Sequence, residues 1–90
     1  MNVSEIERVC SVLEATDYVT NEVKRIYYQL LCKGKTQGKD LTILLGALIY
    51  YINKRDNMSI LMLEISNKLE RKKKLLFKRY KRLKRSLIIS

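Results

Sequence analysis

Between Lys68 and Arg85 stand eleven basic side chains and one carboxylate, Glu70. The bases are Lys68, Arg71, Lys72, Lys73, Lys74, Lys78, Arg79, Lys81, Arg82, Lys84 and Arg85. Their net +10 equals the net charge of the whole 90-residue chain, because the remaining residues hold eight basic and eight acidic side chains that cancel. A run this dense repels itself at helical i, i+4 spacing, whereas an ordinary solvated helix mixes its signs. The chemistry such a run performs is binding of an anion, and the candidate anions are nucleic acid phosphates and an acidic lipid surface.

Other chemistry is poorly provided for. The chain has no histidine, no carboxylate pair that its elements bring together, and no nucleophile beside a base, so no catalytic residue and no enzyme activity is expected. Cys10 and Cys32 are the only cysteines, two ligands where structural zinc usually takes four, so neither a metal site nor a cofactor is expected. A disulfide between them would require the first two helices to pair antiparallel; a buried free cysteine acting as a small hydrophobe is the simpler reading. Gly34-Lys35-Thr36 imitates the end of a phosphate-binding loop, but Gln29 stands where that motif needs its first glycine, inside a helix. Lys33, Lys35 and Lys39 instead form a polar loop suited to a second backbone contact with a polyanion.

The elements that must position these residues read as helices. Ninety residues suffice for one domain that buries about 60–65% of its unfolded surface. Hydrophobic residues make up 47%, enough for a packed core, and proline is absent. Ser4 with Glu7 predicts a capping box for a first helix carrying Ile6, Val9, Cys10 and Leu13 and ending near Ala15. Thr20 is the predicted cap of a second helix through Val23, Ile26, Tyr27, Leu30 and Leu31, closed by Lys33-Gly34. The third, Leu41 to Ile52, is apolar on every side and must therefore be buried on every side. Its twelve residues are the longest apolar run, short of the roughly twenty that a membrane span needs. Met1 to Leu13 lacks the pattern of a cleavable signal, and a soluble intracellular protein is expected.

Ser59 predicts the cap of a short fourth helix with Ile60, Leu61, Leu63, Ile65 and Leu69, followed by a break near Leu69-Glu70-Arg71. A fifth helix, about 72–88, follows. On it Leu76, Tyr80, Leu83 and Leu87 form one stripe, and Lys74, Lys78, Lys81 and Arg85 form the opposite one. Tyr27, Tyr50 and Tyr80 fall on apolar stripes; Tyr28 and Tyr51 are the tyrosines placed to stack on an unpaired base. The fold class is all-α: a five-helix bundle around a buried third helix, ending in a helix-turn-helix-like pair.

This order of features resembles a cyclin box. Gly38-Lys39-Asp40 leading into Leu44-Leu45-Gly46-Ala47-Leu48-Ile49-Tyr50-Tyr51 resembles the glycine-basic element and Ala-x-x-Tyr helix of the repeats of transcription factor IIB and its archaeal counterparts. Met58 to Ser66 resembles the helix that opens that family's helix-turn-helix, and Phe77-Lys78-Arg79-Tyr80-Lys81-Arg82-Leu83 the close of its recognition helix. The resemblance runs from about Glu5 to Leu83 as a single repeat. It implies a transcription-related protein, with TATA-binding protein or RNA polymerase as partners.

Together these readings give a non-enzymatic protein that binds duplex DNA through Arg71, Lys72, Lys73, Lys74, Lys78, Arg79, Lys81, Arg82 and Arg85. Lysine outnumbers arginine there and acts as a point charge, which favours phosphate attraction over base readout. The alternatives are an adaptor or competitor in the transcription machinery, marked by an exposed apolar patch away from the basic helix, and a peripheral binder of anionic membrane. The membrane alternative requires the Leu76–Leu87 stripe to be free rather than buried.

Overall fold

The computed structural model describes residues 2–38 and 40–89, with helices α1 (Val3–Val12), α2 (Asp17–Cys32), α3 (Leu41–Arg55), α4 (Met62–Leu69) and α5 (Lys73–Ile89). No strand occurs among the described residues. All four other helices pack on α3. Leu44, Ala47 and Leu48 are at most 2% exposed, as an element apolar on every side requires. Closeness of approach depends on Gly46. A Cβ there would lie 2.8 Å from Leu69 Cδ1, 3.0 Å from Leu76 Cδ2 and 3.3 Å from Ile65 Cγ2, so the missing side chain is what lets α4 and α5 sit against α3.

Several predicted boundaries are corrected. Helix α1 begins after Asn2, which puts Ser4 inside the first turn, and no side chain caps it. Glu7, the other half of the expected capping box, instead accepts from Lys24 Nζ at 3.2 Å. The helix stops at Val12 rather than Ala15. Glu14 takes a left-handed conformation (φ 54°), and Ala15 N–H reaches back to Cys10 C=O at 2.8 Å. The cap of α2 is Thr16, not Thr20: Thr16 Oγ1 accepts from Val19 N–H at 3.2 Å, and the Thr20 hydroxyl donates to the Thr16 carbonyl. Two hydroxyls four residues apart offer the same local chemistry, and a tight α1–α2 turn selects the first. Ser59 does not cap α4, which begins at Met62 so that Met62, Ile65 and Leu69 point inward. Leu61 and Leu63, expected on the apolar face of α4, are exposed, and so is Leu31, expected among the apolar residues of α2. Packing sets that start, because no side-chain cap competes with it.

The α2 terminus ends as expected. Gly34 is left-handed (φ 67°), and Lys35 N–H donates to Leu30 C=O at 2.8 Å. Cys10 is buried and Cys32 exposed, and both are free thiols.

A polar clasp joins α2 to the end of α3. Arg55 donates to Glu22 and Asp56, both at 2.8 Å, and Arg25 also holds Glu22 at 2.8 Å. Hydrogen bonds from Arg25 and then Arg55 outweigh burial and pull the Glu22 carboxyl from its ordinary 4.5 down to about 2. The folded pKa lies below the unfolded one, so this stabilisation is complete above about pH 5 and lost as pH falls through 4.5 toward 2. After solvent screening it is worth about 1–2 kcal/mol. Urea midpoints near pH 6 and near pH 3 should therefore differ less in Glu22→Gln than in the parent; an unchanged difference would remove the clasp from the acid response.

Candidate nucleic-acid interface

The basic residues belong to the α4–turn–α5 unit, and the turn is built from side chains distant in sequence. Glu70 closes α4 in the left-handed conformation (φ 55°, ψ 46°), and Arg71 N–H returns to Ser66 C=O at 3.1 Å. The Ser66 hydroxyl donates to Arg71 C=O, tying the turn a second time. Arg71 Nε donates to Asp40 Oδ2 at 2.6 Å, while Asp40 Oδ1 accepts the Thr42 N–H at the start of α3. Burial works against the ionised Asp40, but Arg71 and the Ile43 and Thr42 amides outweigh it and hold the carboxyl below its ordinary value. One carboxylate thus caps α3 and fixes the entry to α5.

From that anchor α5 runs 17 residues, about 25 Å, and its two stripes face opposite ways. Leu76 and Leu83 are 0% and 2% exposed, and Tyr80 and Leu87 are partly buried against the core. Tyr80 meets Tyr50 edge-to-face at 4.8 Å, and Phe77 meets the same ring at 5.7 Å. Lys72, Lys73, Lys74, Lys78, Lys81, Arg82, Lys84 and Arg85 are all exposed. No acid lies in the first turn of α5, so Lys73 and Lys74 stand at the positive end of the helix dipole, where cations are unfavourable.

The nine residues assigned to the interface therefore separate by what they touch. Lys72, Lys73, Lys74, Lys78, Lys81, Arg82 and Arg85 project to solvent. Arg71 is engaged by Asp40, and it also donates to the Leu69 and Glu70 carbonyls at 3.2 Å. Arg79 folds back on the loop, donating to Lys35 C=O at 3.2 Å and Gln37 C=O at 3.4 Å. Lys84 is equally exposed on α5 and extends the assigned set; its place in the basic run was the available signal. Lys33 and Lys35 are exposed in the loop, while Lys39 lies outside the described residues. Tyr28 is 57% exposed and Tyr51 partly buried, and they sit on α2 and α3 rather than on the basic helix.

A central α3 wrapped by four helices, with a short α4 turning tightly into a basic α5, is the arrangement expected of a cyclin-like repeat. The profile of the transcription factor TFIIB repeat matches residues 2–86, nearly the whole chain. This chain belongs to the TFIIB-repeat family. Comparison with curated proteins and with solved structures gave no significant match. Membership of the TFIIB-repeat family carries the cyclin-like all-α fold and points to a transcription-related role. Among the described residues no helix is long and apolar enough to cross a membrane, and no cluster of three metal-ligating side chains occurs.

Proposed function

We propose that this TFIIB-type repeat binds duplex DNA through the outward face of α5 and catalyses no reaction, serving the transcription machinery as a DNA-bound factor. The observation that carries the reading is the division of α5: Leu76, Tyr80, Leu83 and Leu87 pack toward the core, while seven cations that form no ion pair among the described residues (Lys73, Lys74, Lys78, Lys81, Arg82, Lys84 and Arg85) face solvent along about 25 Å. A short helix, a tight turn and a longer helix with exposed N-terminal residues is also the unit that helix-turn-helix proteins set in the major groove. With Arg71 held by Asp40, the exposed residues at the helix start are Lys72, Lys73 and Lys74, point charges rather than forks. Binding should therefore be strong at low salt and weak in sequence preference. TATA-binding protein or RNA polymerase is the protein partner that the family relationship suggests.

The packed stripe argues against insertion into lipid, since Leu76 and Leu83 have no surface to offer. A second reading, an adaptor, is favoured by Leu61 and Leu63, 68% and 55% exposed at the start of α4 and off the basic helix. A salt titration with random-sequence duplex, run beside anionic vesicles, tests the choice. The expected result is a steep negative slope of log affinity against log salt with the duplex and weaker association with vesicles. A flat slope, or tighter binding to vesicles, would overturn the DNA reading.

A further inference from the structure

The cations of α5 border two different surfaces. Besides the outward face, a cleft of about 560 Å³ lies between the end of α2, the loop after it, the start of α3 and α5. Its apolar lining includes Leu31 and Leu75, 40% and 43% exposed, with Leu44 buried beneath them. Lys78, Arg79 and Arg82 line the same cleft from α5. The one carboxylate among the described lining residues is Asp40, already held by Arg71 and the Thr42 amide. Arg79 is partly buried, and among the described residues it donates to backbone carbonyls rather than to an acid. Burial, and then the Arg82 charge, lower its pKa from the ordinary value, as expected of a guanidinium short of counter-charge.

Two exposed leucines beside three cations with no available carboxylate define a ligand that is apolar and anionic at once. Duplex DNA meets the charge but leaves the leucines bare. We propose that this cleft docks an acidic peptide segment bearing large aliphatic or aromatic side chains, with its carboxylates on Lys78, Arg79 and Arg82 and its apolar groups on Leu31 and Leu75. The surface takes a polypeptide because it is open and spans four elements, which suits an extended or helical segment laid along it rather than an enclosed small molecule. Lys78 and Arg82 are shared with the DNA face, so peptide and duplex compete.

The proposal goes beyond DNA binding and is tested apart from it. Two labelled synthetic peptides of equal negative charge, one with Leu and Phe between its acids and one with Ser in their place, are titrated with the full chain by fluorescence anisotropy. The Leu/Phe peptide should bind about tenfold more tightly, the gain expected from covering one leucine side chain. The double variant Leu31→Asn, Leu75→Asn should erase that preference. Its duplex affinity should be unchanged, since neither side chain carries charge, and its thermal unfolding should stay cooperative at a modestly lower midpoint, since each leucine is only 40–43% exposed. Equal affinity for the two peptides, or a preference that survives in the double variant, would overturn the proposal. Failure of duplex binding would bear on the DNA reading alone, because the peptide comparison contains no nucleic acid.

Discussion

Replacing Lys74, Lys78 and Lys81 together by glutamine should weaken duplex DNA binding by about a hundredfold at about 0.1 M salt, whatever the sequence of the duplex. All three ammonium groups are exposed, and none is in an ion pair among the described residues. Each phosphate contact removed should lower the salt slope by roughly one unit, so a loss of about two to three units is expected. Folding should survive and even gain slightly, because Lys74, Lys78 and Lys81 stand three and four residues apart and repel one another. Equilibrium titrations at several salt concentrations, beside a urea melt, provide both readouts. Wild-type affinity at low salt in a folded triple variant would remove the outward face of α5 as the DNA surface and bring the adaptor reading forward.

Gly46→Leu should cost about 3 kcal/mol or more of folding stability, a large share of the few kcal/mol that hold a 90-residue chain folded. Even the first added carbon would meet Leu69 at 2.8 Å and Leu76 at 3.0 Å, and the branch beyond it has nowhere to go among buried neighbours. Gly46→Ala separates the two contributions. Its better helix propensity is worth about 1 kcal/mol and offsets part of the crowding, whose two shortest contacts fall on the movable ends of Leu69 and Leu76. Thermal or urea unfolding of both variants checks the order, with leucine far worse than alanine. Equal stability of Gly46→Leu and the parent would mean that α4 and α5 do not rest on α3 as described. Because α5 is seated by that contact, the leucine variant should lose DNA binding only in proportion to lost fold, unlike the triple glutamine variant.

The sequence by itself determined the parts of this protein that depend on periodicity and on total charge. Leu41 to Ile52 is apolar in every direction, which obliges a helix there to be wrapped, and α3 is. The stripes of α5 follow from 3.6-residue spacing alone, and Leu76 and Leu83 turn inward while Lys74, Lys78, Lys81 and Arg85 turn out. Lys33-Gly34 marks the end of α2 because a left-handed residue after a helix favours glycine.

Only the tertiary structure decided where the other helices begin and which cations remain free. Thr16, Thr20, Ser4 and Ser59 present similar local capping chemistry, and the choice among them is made by how far each helix must extend to pack. Arg71 and Arg79 look in the sequence like their neighbours in the basic run. They are removed from it by an Asp40 carboxylate 31 residues away and by carbonyls 44 and 42 residues away. Such contacts have no local signal, because they arise when the chain folds its polar loop against α5. The same closure brings Leu31 and Leu75, 44 residues apart on α2 and α5, onto one cleft, making a surface that neither helix carries alone.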